Sequence, residues 1–227
     1  MAAAMFAEAF VRDRLIVSDD AAATARNITA NDNLWRWGIA ADVATTLADV
    51  AVTALLYLLL KPGGRSLSLC AATFRLAYSA AMLGSAAFLL APLQIINHPM
   101  SGLSPAEVQA LASFSLRLHG AAFVVALTLF GVHLTMIGAL IVRSTFLPRR
   151  LGLALAFAGV CYVANSFSRI LSPTLADGLF PWILLPGFLA EGALALWLLV
   201  VGVNPDRWLV AAGTQLDAGR RPWTIQR

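Results

Sequence analysis

The sequence predicts an all-α protein, a bundle of helices that crosses a membrane several times. Of its 227 residues 59% are apolar and 12% are charged, and the mean hydropathy of +0.77 is high for a soluble domain. Long apolar runs recur along the chain, and a helix needs roughly 20 apolar residues to cross a bilayer. The alternation over about ten residues that marks a membrane β-strand is absent from the sequence. The spans are therefore expected to be helices, whose backbone groups are satisfied internally.

The apolar runs define five expected membrane spans. They extend from Gly38 to Leu60, Leu67 to Ile96, Leu118 to Val142, Leu151 to Leu171 and Leu179 to Val203. The second run is longer than a span requires, and Pro92 is expected to mark its kink or its exit from the membrane. Cys70 and Cys161 fall inside these runs, which predicts small buried residues rather than a disulfide or metal ligands.

A short external helix is expected before the first span. In the segment VSDDAAATARNI, Ser18 and Asp19 are candidate N-cap residues ahead of strong helix formers. These residues predict an external helical segment within about 18–34. Trp35 and Trp37 follow it, and tryptophans in this position are typical anchors at the membrane interface.

The later connections carry equally specific signals. In LSPAEVQAL, Ser104 is the expected cap, Pro105 takes the first helical position and Glu107 completes a capping box. A second short external helix is thus expected to lead into the third span. The stretch KPGGRS predicts a tight turn, and RSTFLPRR ends one helix and starts the next at Pro148.

Basic residues cluster in alternate connections, whereas the stretches 97–115 and 172–178 contain no Lys or Arg. They follow the first, third and fifth runs, at Lys61, Arg65, Arg143, Arg149, Arg150, Arg207, Arg220, Arg221 and Arg227. The positive-inside rule makes these segments cytoplasmic and places the chain before Gly38 outside. The net charge of +4 then reports topology rather than a nucleic-acid partner. We expect one transmembrane domain over 1–203 in a bacterial inner membrane and a basic cytoplasmic tail over 204–227. Within this tail, the segment AAGTQLDAGRRPWTIQR is expected to be disordered and to touch anionic lipid.

Polar and ionisable side chains lie inside every expected span. A charge at the bilayer centre costs at least about 2.5–3.5 kcal/mol, so such groups are expected to face the protein and to have partners. The fourth span carries Tyr162, Asn165 and Ser168 at three-residue steps. The candidate buried polar site comprises Asp42, Asp49, Arg75, His119, His133, Asn165, Arg169 and Glu191.

The expected depths of these groups divide them into two layers. With a rise of about 1.5 Å per residue, Asp49, Arg75, His133 and Glu191 form an inner layer. Asp42, His119 and Arg169 form an outer one. Glu191 is tolerable if Arg75 or a protonated His133 faces it, or if Glu191 is itself protonated.

Several segments together resemble a known bacterial membrane family, the one catalogued as domain of unknown function 4386. The resemblance extends from about Phe6 to Val203 and is carried by FVRDRLIVSDDAAATARNI, LADVAVTALLYLLL, FRLAYSA, LSPAEVQAL, FGVHLTMIGALIVRSTFLPRRLGLALAFAGVCYVANSF and PGFLAEGALALWLLVVGV. It implies six spans, of which MAAAMFAEAF would match only the end of the first. Residues that match family marks are Asp49, Arg75, His119, His133, Arg143, Pro148, Arg149, Glu191 and Trp197. The resemblance implies no established activity.

Three classes of function stay open from the sequence. The first is a small-solute or proton-coupled transporter or sensor in which Asp49 and Glu191 titrate and Arg75 is their counter-charge. The second is an accessory or structural subunit whose buried charges hold helices together, with a membrane-protein partner or a second copy of the chain. The third is a membrane enzyme with His133 and Glu191 as base and orienting group. Catalytic motifs such as His-x-x-x-His and Gly-x-Ser-x-Gly are absent from the sequence, which argues against an enzyme.

The expected ligands are the lipid bilayer and a small solute or proton, without nucleic acid or a bound cofactor. A haem alternative rests on His119 and His133, which lie about 21 Å apart along one expected helix. The other expected spans carry no histidine that could supply the opposite axial ligands. A haem would therefore require a dimer.

Overall fold

The computed structural model describes residues 6–220, and this part of the chain is almost entirely helical. A π-helical turn at Phe6–Arg12 leads into the α-helices, which are α1 (Asp13–Leu15), α2 (Ala21–Ala30), α3 (Asp32–Leu60), α4 (Arg65–Asn97), α5 (Pro105–Arg143), α6 (Arg149–Leu171), α7 (Pro173–Leu179), α8 (Leu185–Val200) and α9 (Pro205–Arg220). Short 3-10 turns lie at Lys61–Gly63 and Trp182–Leu184. Within residues 6–220, α3, α4, α5, α6 and α8 with its preceding turn are long and apolar enough to cross a membrane. The expected all-α, multi-pass architecture is confirmed.

The capping box at the start of α5 forms as expected. The backbone N–H of Ser104 donates to Glu107 Oε2 at 2.7 Å, and the N–H of Glu107 donates to Ser104 Oγ at 3.4 Å. The helix that begins there continues without a break from Pro105 to Arg143. The second external helix is thus continuous with the third span, because the residues after the capping box include no proline or glycine before Gly120 to interrupt it.

Helix α2 lies where the first short helix was expected, but its cap differs from the expected one. Helix α2 is capped by Asp20, whose Oδ1 accepts a 2.7 Å hydrogen bond from the N–H of Ala23. Asp19 instead adopts a positive φ of 62° in the turn before the helix. The prediction of Ser18 or Asp19 as the cap is therefore wrong by one or two residues.

The two tryptophans that follow α2 have different environments. Trp35 is only 1% exposed, and its Nε1 donates a 2.8 Å hydrogen bond to the carbonyl of Leu89. Trp37 is 69% exposed, as an interface anchor would be. The anchor prediction is wrong for Trp35, because a buried carbonyl satisfies its indole N–H inside the protein.

Two further expectations within the spans need correction. Pro92 is buried inside α4, and the helix continues past it to Asn97, so Pro92 does not end the helix. Cys70 is exposed and Cys161 half-buried, and both are free thiols. The prediction of burial is wrong for Cys70, because a small apolar side chain is also compatible with a lipid-facing surface.

The chain divides into two compact units. Unit one consists of Met1–Val52 and Ala77–Ala126, and unit two of Thr53–Leu76 and Leu127–Arg227. In the described part of unit one, the N-terminal turn packs its apolar side chains against the adjoining helices. The core of this unit is formed by Val11, Leu15, Ile28, Trp35, Ile39, Leu89 and Leu93.

The chain after Val203 forms a helix, which includes residues 211–220 of the segment that was expected to be disordered. Asn204 Oδ1 accepts from the N–H of Arg207 at 3.0 Å, which caps the first turn of α9. Trp208 Nε1 donates a 2.9 Å hydrogen bond to the carbonyl of Leu59 within unit two. These two contacts begin and anchor α9. The last part of the expected tail, residues 221–227, lies outside the described residues.

Glycines hold two helices of unit two in close contact. Gly131 and Gly138 lie seven residues apart on α5, and Gly152 and Gly159 have the same spacing on α6. A Cβ at Gly131 would meet the carbonyl of Gly159, and a Cβ at Gly138 would meet the carbonyl of Gly152. Small residues at this spacing let helix backbones approach closely inside a membrane. This contact fixes the C-terminal part of α5 against α6.

Candidate functional site

A connected set of five side chains runs through unit two from α4 to α8. Arg75 Nη1 lies 3.2 Å from His133 Nε2, and the Arg75 guanidinium carbon lies 5.2 Å from the centroid of the Phe130 ring. The Phe130 and Tyr162 ring centroids are 5.9 Å apart. Tyr162 Oη donates a 2.8 Å hydrogen bond to Glu191 Oε1. We call this set the polar chain; its members lie in apolar helices long enough to span a membrane.

His133 is fully enclosed, and protein groups occupy both of its ring nitrogens. Its exposed fraction is 1%, and its Nδ1 lies 2.8 Å from the carbonyl of Ala71. A carbonyl only accepts hydrogen bonds, so Nδ1 carries the proton and Nε2 accepts from Arg75. The geometry therefore holds a neutral imidazole rather than the protonated His133 that was one expected counter-charge for Glu191.

His133 also orients Arg75. Ala71 lies one helical turn before Arg75 on α4, so the imidazole contacts two successive turns of the same helix. The Phe130 ring covers the guanidinium from α5, a cation–π arrangement. Because arginine keeps its proton in proteins, these contacts fix one permanent positive charge within unit two.

Tyr162 is one hydrogen-bond partner of Glu191. Gly187 lies one turn before Glu191 on α8, and a Cβ at Gly187 would overlap the Tyr162 hydroxyl. The bare backbone at Gly187 thus admits the phenol ring, which then reaches the carboxyl group one turn further on.

The polar face of α6 continues beyond Tyr162. Asn165 and Ser166 are 3% and 0% exposed, and in the described part of the chain Asn165 Oδ1 and Ser166 Oγ have no hydrogen-bond partner. Arg169, near the end of α6, forms an ion pair with Asp177 at 3.4 Å. Its guanidinium carbon also lies 5.3 Å from the centroid of the Phe180 ring.

The remaining candidate residues lie in unit one. Asp42 forms an ion pair with Arg12 at 2.5 Å, and Arg12 also pairs with Glu8. Burial lowers the pKa of Arg12, but its hydrogen bonds and charge interactions with Asp42 and Glu8 more than offset this, so the pKa lies above the ordinary arginine value. His119 Nδ1 lies 3.1 Å from the carbonyl of Ser85. Asp49 is half-buried on α3.

These contacts show which of the predicted side chains meet. The structure brings Arg75 and His133 together directly and links them to Glu191 through two aromatic residues. For the expected outer layer, the opposite charge comes from Arg12 for Asp42 and from Asp177 for Arg169. Neither partner was in the predicted set, because both lie outside the apolar runs in which partners were sought.

The positions of the His, Cys, Asp and Glu side chains bear on whether the protein could bind a metal ion or a haem. Within residues 6–220, no group of three or more His, Cys, Asp and Glu side chains is placed to hold a metal ion. A haem iron on His133 Nε2 would have to displace Arg75.

Comparisons with known proteins support the resemblance seen in the sequence. The family model described as a domain of unknown function (DUF4386) matches residues 1–202. A relative from Archaeoglobus fulgidus, described as an uncharacterized protein, is 26% identical over 156 residues, which are 69% of this chain and 78% of the relative. No solved structure matches the chain significantly. Because the family model covers nearly the whole chain, this membrane protein belongs to the family described as a domain of unknown function (DUF4386).

Proposed function

We propose that the protein is a proton-linked membrane transporter or sensor for a small solute, with Glu191 as the group that gains and loses the proton. The observation that carries this proposal is the polar chain from Arg75 to Glu191 across four apolar helices. Ionisable groups are expensive in a membrane and commonly mark proton or solute pathways there. Asp49, in unit one, stays a second titrating candidate.

The two ends of the polar chain have different chemical capacities. Arg75 is a fixed cation that His133 and Phe130 hold in one orientation. Glu191 can exist as a carboxylate or as a carboxylic acid, and the Tyr162 hydroxyl can remain its hydrogen-bond partner in both forms. A change of charge at Glu191 therefore requires little rearrangement at this contact, as a reversible proton site needs.

A structural role is the second candidate, and the glycine contacts of unit two favour it. Close packing of α5 on α6, together with hydrogen bonds between helices, is how apolar helices associate without a hydrophobic driving force. On this alternative the protein is an accessory subunit, bound to another membrane protein or to a second copy. The enzyme alternative loses support, because protein groups occupy both nitrogens of His133, its expected base.

The decisive experiment compares matched carboxyl substitutions in purified protein reconstituted into liposomes. Glu191→Gln removes the proposed proton site. Glu107→Gln is the control, since glutamine also serves in a capping box. A trapped pH dye reports proton flux after an external acid pulse, and intrinsic tryptophan fluorescence reports an acid-induced conformational change.

Each outcome assigns one of the candidate functions. If proton flux is lost in Glu191→Gln and kept in Glu107→Gln, the protein is a transporter. If no proton flux occurs, but an acid-induced fluorescence change is lost in Glu191→Gln and kept in Glu107→Gln, the protein is a sensor. If both readouts are unaltered in Glu191→Gln while stability in detergent falls, the polar chain is structural and the proposal is wrong.

The orientation in the membrane is part of the proposal. Lys61, Arg65, Arg143, Arg149, Arg150 and Arg207 lie at helix ends of unit two that follow the first and third spans or the last one. The positive-inside rule then favours a cytoplasmic C-terminus in a bacterial inner membrane. A C-terminal green fluorescent protein fusion should fluoresce in bacteria, whereas a C-terminal alkaline phosphatase fusion should be inactive. Active phosphatase with a dark fluorescent fusion would reverse the orientation.

A further inference from the structure

The polar residues of α6 form one stripe in the part of the helix that precedes α7. From Tyr162, the residues three and four positions on are Asn165 and Ser166, and Arg169 follows at seven. Residues at these spacings share a helix face. One end of the stripe is the Tyr162–Glu191 hydrogen bond, and the other is the Arg169–Asp177 ion pair.

The middle of this stripe carries polar atoms that the protein does not satisfy. Asn165 Oδ1 and Ser166 Oγ are enclosed, and within residues 6–220 they have no hydrogen-bond partner. Buried polar atoms nearly always have a partner, in the protein or in ordered water, because a missing partner lowers stability. Ser68 shows the usual arrangement: it is also buried, and its hydroxyl donates to the carbonyl of Tyr57 at 3.2 Å.

We propose that Asn165 and Ser166 bind internal water molecules, and that these waters connect Glu191 with the end of α6 at Arg169 and Asp177. The water site is inferred from these two buried atoms, which lack a hydrogen-bond partner among the described residues. Its use as a proton route rests on the proposed function.

The spacing of the stripe suits a chain of waters. The Cα atoms of Asn165 and Ser166 lie about 4.5–6 Å beyond that of Tyr162 along the helix axis, which is the length scale that one or two waters with hydrogen bonds of about 2.8 Å cover. Serine donates and accepts hydrogen bonds, whereas Asn165 Oδ1 only accepts. Such groups can orient waters in sequence.

The proton transfer conserves every atom. A hydronium ion donates to the first water, each water passes on a different proton, and the last one donates to Tyr162 Oη. Tyr162 gives its own hydroxyl proton to Glu191, which changes from a carboxylate to a carboxylic acid. Tyr162 ends neutral, the hydronium ion has become water, and release runs through the same steps in reverse. Asp177 neutralises Arg169 at the surface end, where an unpaired cation would repel the arriving proton.

The water site is tested by infrared difference spectroscopy of reconstituted protein in H2(16)O and H2(18)O. Internal waters give O–H bands that shift between the two isotopes. We expect such a band in the wild type, its loss in Ser166→Ala and Asn165→Leu, and its retention in Ser68→Ala. The proposal is overturned if the band is missing from the wild type or persists in both α6 variants.

The proton route is tested by the rate at which the Glu191 carboxyl band changes after a rapid pH jump. Ser166→Ala should slow this change by at least about tenfold, which corresponds to about 1.4 kcal/mol in the barrier, and should leave its amplitude intact. Equal rates in Ser166→Ala and wild type would overturn the route. A wild-type Glu191 band that does not respond to pH would instead overturn the proposed function and leave the water site standing.

Discussion

The Tyr162 hydroxyl donates a 2.8 Å hydrogen bond to Glu191, and this contact joins α6 to α8 within two apolar helices. It explains how a carboxyl group is accommodated in a helix otherwise made of apolar and small residues. A tyrosine hydroxyl can hydrogen-bond to a carboxylate and to a carboxylic acid, so this contact is compatible with both protonation states of Glu191.

Loss of the Tyr162 hydroxyl should destabilise the protein. Tyr162→Phe keeps the ring and removes the donor to Glu191, so the free energy of unfolding in mixed micelles should fall by about 1–3 kcal/mol. Tyr57→Phe, which removes a hydroxyl from α3 outside the polar chain, should have a smaller effect. Equal stabilities of Tyr162→Phe and wild type would show that the hydrogen bond contributes nothing.

Two glycines of α8 should respond in opposite directions to alanine. A Cβ at Gly187 would overlap Tyr162, whereas one at Gly192 would meet nothing within 4 Å. Gly187→Ala should therefore destabilise the protein by about 1–3 kcal/mol, and Gly192→Ala should stabilise it by up to about 1 kcal/mol, the helix propensity difference. Thermal unfolding of both variants in the same detergent measures these changes in stability. Similar shifts of the unfolding temperature in the two variants would contradict the described packing.

The contact between α5 and α6 predicts a similar contrast. A Cβ at Gly159 would meet Thr135 and the carbonyl of Gly131, and a backbone carbonyl cannot move aside as a side chain can. Gly159→Ala should therefore lower the free energy of unfolding by about 1–3 kcal/mol or more. Gly120→Ala, on α5 with nothing within 4 Å, is the matched control and should be neutral or mildly stabilising. If Gly159→Ala is as stable as the wild type, α5 and α6 are further apart than described.

The state of His133 can be read directly by nitrogen NMR. With Nδ1 donating to Ala71 and Nε2 accepting from Arg75, the imidazole should be neutral and protonated on Nδ1. The two nitrogen chemical shifts of labelled His133 distinguish this tautomer from the other one and from the imidazolium. Two protonated nitrogens would leave donors facing each other at the Arg75 contact, which would rule out this hydrogen bond and remove the positioning role of His133.

Much of the fold could be predicted because it depends on local patterns. Runs of apolar residues locate α3 to α6 and α8, and Ser104 with Glu107 begins α5 as expected. The errors involve interactions between segments distant in sequence. Trp35 is buried because the carbonyl of Leu89, 54 residues away, accepts its N–H. Nothing near Trp35 in the sequence distinguishes it from the exposed Trp37.

The candidate site was predictable in its residues but not in its contacts. Composition alone marks Arg75, His133 and Glu191 as unusual within apolar runs. The connections between them depend on Phe130 and Tyr162, which look like ordinary core aromatics. A usable signal exists in the seven-residue spacing of glycines on α5 and α6, which brings these two aromatic residues to neighbouring helices in close contact.

The most direct test of the account is the infrared carboxyl band of Glu191 in lipid, identified as the band missing from Glu191→Gln. The account predicts that this band reports a carboxyl group that changes protonation with pH and shifts in frequency in Tyr162→Phe, because the hydrogen-bond donor has been removed. A band that is absent at every pH would contradict the protonatable site, and a band that Tyr162→Phe leaves unchanged would contradict its hydrogen-bond partner.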